Sequence, residues 1–202
     1  MPLMTSTEFT ALLLLTTAGS FTPGPNNTLS AALAANHGLR SALRFIVAVP
    51  VGWGLLFGLC AGGVGALVVA LPGLRVGIQA FGTAYLLWLA WKLAGSGTLA
   101  QADAPRLNVS FTQGVMLQFL NIKAWMLALT IVAGWLAGRP DAFARFALVL
   151  PILLVFALAS NFSYALLGSL LRDWLAQGTR LLWFNRGMAA ILVATAIWMA
   201  SL

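Results

Sequence analysis

The chain has 202 residues, 61% of them hydrophobic and 7% charged, at a mean hydropathy of +0.95. A soluble domain carries roughly a quarter charged residues, so this composition excludes an aqueous globule and indicates an integral membrane protein. The net charge of +7 comes from scattered basic residues that mostly flank apolar runs, as membrane topology asks and a nucleic-acid surface does not.

Six stretches are apolar enough for the roughly 20 residues that a helical span needs: 9–36, 43–71, 74–93, 109–136, 143–171 and 181–202. They predict an all-α polytopic membrane protein with six transmembrane helices in one domain, residues 1–202. Glu8 precedes the first stretch and the first basic residue is Arg40. A cleavable signal peptide starts basic, so the first segment is expected to remain.

That first segment is interrupted by Thr22-Pro23-Gly24-Pro25-Asn26-Asn27. Proline has no amide hydrogen and its ring meets the carbonyl four residues back. Pro23 and Pro25 therefore leave the carbonyls of Gly19 and Phe21 without intrahelical donors, and Gly24 loosens the backbone between them. In hydrocarbon such a break persists only against protein or a watery cavity. Discontinuous helices of this kind hold the substrate sites of many transporters; a purely structural kink is the plainer reading. Pro25 suits the first position of a new helix, which is expected to reach Asn36-His37-Gly38, with Gly38 as a left-handed cap.

In the second segment Gly54, Gly58 and Gly62 recur every four residues, a stripe expected to let helix backbones approach, with a flexible gate as the rival reading. Cys60, the only cysteine, lies in the same apolar run and is expected simply to pack. Pro72-Gly73 reads as a short turn. The third segment ends in Trp88, Trp91 and Lys92, a membrane-interface grouping. Residues 96–108, with Gly97, Asp103, Pro105 and Arg106, form the longest polar stretch and read as a loop between two halves. The fourth segment holds Gln113, Gln118, Asn121 and Lys123, and the fifth holds Pro151, Ser160, Asn161, Ser163 and Tyr164.

Connections 1–2, 3–4 and 5–6 carry seven lysines and arginines, and connections 2–3 and 4–5 carry three. The positive-inside rule then puts both termini outside; a re-entrant first segment would give five spans and a cytoplasmic N-terminus. Three spans on each side of the polar loop suggest a 3+3 inverted repeat, with halves of about 1–95 and 109–202 and the broken first helix corresponding to the polar fourth segment.

Lys123 is the fifteenth residue of a 28-residue span, near mid-membrane. A central lysine costs about 2.5–3.5 kcal/mol on insertion scales, so it needs a partner or water. The four carboxylates, Glu8, Asp103, Asp141 and Asp173, all lie at segment ends or in loops. The chain thus supplies a mid-membrane cation without a matching anion, a place that the anionic group of a ligand fits. The helix starting at Pro25 should present unpaired amides of Asn26, Asn27 and Thr28 to the break, a second feature that attracts carboxylates. The side chains of Asn26, Asn27, Gln118 and Asn121 both donate and accept, which suits a zwitterionic amino acid. Against this stand a snorkelling lysine and asparagines and glutamine that only bond neighbouring helices. The same two readings hold for Asn161 and Tyr164. His37 at a helix end reads first as a solvated residue, with proton coupling as the alternative.

An enzyme is not expected. With one histidine, one cysteine and no intramembrane carboxylate, neither a nucleophile–base pair nor a metal-ligand cluster can be assembled, so no catalytic residue, metal or cofactor is assigned. A channel and a non-transporting scaffold remain as alternatives to a transporter, for small solutes generally.

The residues 22–27, followed by Asn36-His37-Gly38-Leu39-Arg40, then residues 82–92 and finally Gln118-Phe119-Leu120-Asn121-Ile122-Lys123, resemble the signature of the lysine-exporter family of amino acid efflux proteins, which includes the homoserine/threonine exporters. The paired asparagines, His37-Gly38 and the non-proline residue between Asn121 and Lys123 are most similar to its cysteine/O-acetylserine exporter branch. Most of the family has proline where this chain has Ile122, so the fourth span is expected to be the more regular. The resemblance implies an inner-membrane, multi-pass exporter of small amino acids or their derivatives, driven by the proton motive force. It implies Pro23, Gly24, Pro25, Asn26, Gln118, Asn121 and Lys123 as the functional set, to which the helix-start argument adds Asn27. The expected partners are a small amino acid substrate, the proton gradient and the lipid bilayer, with no nucleic acid and with a homo-oligomer left open.

Overall fold

The computed structural model describes residues 3–96 and 108–201. Most of the 96–108 loop, with Gly97, Asp103, Pro105 and Arg106, lies outside the described residues. The described chain is helical: α1 (Ser6–Phe21), α2 (Pro25–His37), α3 (Leu39–Ala61), α4 (Val64–Ala70), α5 (Pro72–Gly95), α6 (Phe111–Leu120), α7 (Ile122–Ile131, continued as a π-helical turn over Val132–Leu136), α8 (Ala142–Leu170), α9 (Arg172–Leu175) and α10 (Arg180–Ala200).

Three of these, α3, α8 and α10, are each long and apolar enough to cross a membrane, and two bent pairs bring the number to five. One is α4 with α5, bent by 97°; the other is α6 with α7 and its π turn, bent by 66°. The first segment, split into pieces of 16 and 13 residues, stands outside that count. Large apolar side chains such as Phe143 (85% exposed) and Phe81 (73%) face outward. Water would penalise that surface, whereas hydrocarbon does not, so the protein is a multi-pass membrane protein.

Several element boundaries depart from the sequence reading. The segment expected at 43–71 ends as one helix at Ala61, because Gly63 takes a left-handed φ of 98° and starts the short α4. Pro72-Gly73 is not a turn but the first turn of α5, with the sharp corner at Leu71; proline at the first helical position loses no intrahelical bond. The fourth segment is broken at Asn121 although Ile122 is not proline. The stripe of Gly54, Gly58 and Gly62 is not where backbones meet. A Cβ at Gly58 would touch nothing within 4 Å, whereas one at Gly52 would come within 2.6 Å of the Val115 carbonyl and 2.8 Å of Gln118 Cγ. Close approach of α3 to α6 is therefore set by Gly52.

The helix α2 is buried almost all round, from Asn27 to Asn36. It packs against α3, α8 and α10 and is tied to its neighbours by side-chain amides and hydroxyls. Asn36 and Asn185 exchange two hydrogen bonds at 2.8 and 2.9 Å, and Ser30 donates to Asn161 Oδ1 at 2.9 Å. Gly38 ends α2 at a positive φ of 83°, but its ψ of 160° is not that of the expected left-handed cap, and it is the single residue before α3 begins. Lys92 lies 4.0 Å over the Trp88 ring, and Cys60 is buried within the core.

Candidate functional site

The site lies where the two broken segments meet. Between α1 and α2 the backbone is extended at Thr22 (φ −64°, ψ 129°) and at Gly24 (φ −168°, ψ −176°), and Pro25 opens α2. Three side chains satisfy carbonyls stranded there. Asn27 Nδ2 donates to Ser20 O at 2.8 Å and to Thr22 O at 3.3 Å; Tyr164 Oη donates to Phe21 O at 2.9 Å; Lys123 Nζ donates to Thr22 O at 3.0 Å. Tyr164 thus serves the break by bonding its backbone.

Asn121 makes the second break. Its φ of −95° and ψ of 99° are extended, and its side-chain oxygen accepts from the Lys123 amide at 3.2 Å, capping α7. The Trp125 indole donates to the stranded Phe119 carbonyl at 2.9 Å. The cap also places the Lys123 side chain so that its ammonium reaches across to the first break. Among the described residues no carboxylate is within ion-pair distance of Lys123; the ion pairs join Glu8 to Arg139 and Arg145, and Asp141 to Arg145.

A cavity of about 60 Å³ lies between α1, α2, α3, α7 and α8, room for only a few water-sized groups. Gly24, Pro25, Asn26, Asn27, Asn121 and Lys123 line it, and Trp53, Val49 and Leu153 supply much of its apolar wall. A Cβ on Gly24 would stand 3.5 Å from Lys123 Nζ, an ordinary contact, so Gly24 adjoins the ammonium without being required for its space. Thr28 does not offer its amide to the cavity: that amide donates to Gly24 O at 2.9 Å in the first turn. The start of α2 has no side-chain cap, so Asn26 and Asn27 carry the helix-start amides there.

Gln118 is fully buried and does not line the cavity. It forms a reciprocal amide pair with Asn26, at 2.9 and 3.0 Å, and donates to Gly114 O at 3.1 Å. Asn161 lines the cavity from α8. The sequence reading missed Thr16 and Ser20 of α1 and Trp53 of α3, which also line it. Thr16 and Ser20, four apart on one helix face, were the available signal.

Interrupted apolar helices around a small cavity, its largely apolar wall set with asparagines and one lysine, are an arrangement common in membrane transporters. Among the described residues no group of His, Cys, Asp and Glu could hold a metal ion. The LysE type translocator family matches this chain over residues 17–201. Proteins named cysteine/O-acetylserine efflux protein, from Escherichia coli strain K12 and from Shigella sonnei strain Ss046, are each 31% identical to it over 194 residues, covering 96% of this chain and 98% of theirs. No solved structure matches. The chain belongs to the LysE type translocator family and is a transporter, not an enzyme.

Proposed function

We propose that this protein exports small amino acids or their derivatives across the inner membrane by alternating access, driven by the proton motive force. The observation that carries the reading is the meeting of Lys123 Nζ with the opened backbone of the first break, beside the start of α2 and with no carboxylate at ion-pair distance among the described residues. A substrate carboxylate displaces the Thr22 carbonyl from the ammonium and takes the amides of Asn26 and Asn27, a charge-assisted arrangement stronger than the bond it replaces. Asn27, Asn121 and Asn161 serve the substrate's other polar groups. Pro23, Gly24 and Pro25 keep the break open, and Gln118 holds Asn26 in place. The names of the relatives support a cysteine- or O-acetylserine-like substrate.

Two inverted three-helix halves suit this reading, with the first broken segment as a sixth crossing. In support, each half starts with an interrupted segment, and the corresponding long helices pair with one another, α3 with α8 and α5 with α10. Efflux from vesicles holding the purified protein and loaded with single amino acids tests the function. Saturable export that an imposed proton gradient accelerates is expected; unchanged efflux of every amino acid, cysteine included, refutes it.

A further inference from the structure

Thr16 is 1% exposed, and its Oγ1 is buried without a hydrogen-bond partner. A helical threonine ordinarily returns its hydroxyl to a carbonyl one turn back. Thr17, Thr130 and Thr195 all do so, at 2.7–2.8 Å. Thr16, beside Thr17 on the same helix, does not, and it lines the cavity that holds Lys123. The hydroxyls of Thr83 and Tyr85 are also unpartnered, but neither residue lines this cavity. A buried donor left unsatisfied is destabilising, so its persistence at a cavity wall points to a partner that arrives from outside.

The donor chemistry says which part of the ligand that is. Thr16 and Lys123 line the same cavity, and an amino acid bound there has its carboxylate on the ammonium. Its own α-ammonium only donates, so the acceptor left for a donating hydroxyl lies on the side chain. We propose that Thr16 reads the substrate's side chain, its hydroxyl donating to an oxygen or sulfur on the β-carbon while Lys123 holds the carboxylate. The inference rests on the exporter reading above and narrows its substrate to small amino acids with a polar β-substituent.

The full-length protein in proteoliposomes, loaded with serine, O-acetylserine, cysteine, alanine or 2-aminobutyrate, tests this with Thr16→Val and Thr16→Ser. Valine keeps the shape and lacks the hydroxyl. Thr16→Val is expected to lower export of serine and O-acetylserine about 3- to 10-fold relative to alanine and 2-aminobutyrate, and export of cysteine by less, because sulfur is a weak acceptor. Thr16→Ser restores the preference. In the empty protein Thr16→Val is expected to raise the melting temperature by about 2–4 °C, since an unsatisfied donor is removed. Equal loss for all five amino acids, or no loss, overturns the inference. So does a fall in melting temperature, which would reveal a partner within the protein. If the wild type moves none of the five, the exporter reading falls and takes the inference with it, an outcome separate from any variant's selectivity.

Discussion

At the first break, Pro23 and Pro25 remove backbone donors covalently. At the second, Ile122 keeps its amide, and the side chain of Asn121 turns the chain by capping Lys123. The remedies afterwards are alike: an aromatic donor, Tyr164 in one case and Trp125 in the other, takes a stranded carbonyl at 2.9 Å. Interrupting an apolar helix therefore requires replacement partners for the backbone, and proline is one of several ways to create the need. Lys123 belongs to both breaks, its amide to the second and its ammonium to the first.

Because of that double attachment, Lys123→Ala should have the largest effect. Transport is expected to fall at least about 100-fold, as when one partner of a desolvated charge pair is truncated, while the protein still inserts and elutes as the wild type in size-exclusion chromatography. Retained transport would remove the ammonium from the site. Asn121→Ala deletes the only side-chain cap of α7 and should cost about 1 kcal/mol, read as a lower unfolding midpoint in detergent; an unchanged midpoint would mean that something other than the cap holds the second break. Ile122→Pro should be tolerated or stabilise by about 0.4–1 kcal/mol, since the residue opens a helix and Asn121 is already in the extended conformation that precedes proline. A lower midpoint there would separate the two breaks in kind.

The smallest effect concerns pH. Glu8, ahead of the apolar run, has its carboxyl held below the ordinary value of 4.5, chiefly by the Thr5 amide and further by the charges of Arg145 and Arg139. A depressed carboxyl contributes stability that is complete above its unfolded value and fades as pH falls through the folded one. Unfolding midpoints of the wild type should thus drop below about pH 4.5, and Glu8→Gln should flatten that drop. An identical acid profile in the variant would show that this contact does not matter.

The class of protein and the first break were legible because their signals are intrinsic: hydropathy needs no context, and a missing amide in proline is missing everywhere. The ends of α8 and α10 followed from hydropathy for the same reason. The second break was not legible, since Asn121 caps a helix only in the rotamer that its neighbours allow, and asparagine within an apolar run equally suits bonding between helices. Gln118 read equally as a ligand group or as a bond between helices, and only the packing against Gly52 and Asn26 shows it buried behind the wall. The unspent hydroxyl of Thr16 was invisible for the opposite reason. A threonine in a membrane helix normally spends its hydroxyl on its own backbone, as Thr17 does, and no sequence pattern marks the exception.

The hydrogen bond from Lys123 to Thr22 O bears on turnover. A carrier must unload as readily as it loads and then reset with nothing aboard. With the neutral Thr22 carbonyl as its companion, the ammonium keeps a hydrogen-bond acceptor when no substrate is bound, so the vacant form is spared part of the penalty of an unpaired charge. On the exporter reading proposed above, a substrate carboxylate would win only the margin between an ionic acceptor and an amide one, and that margin would favour modest affinity and quick release over storage.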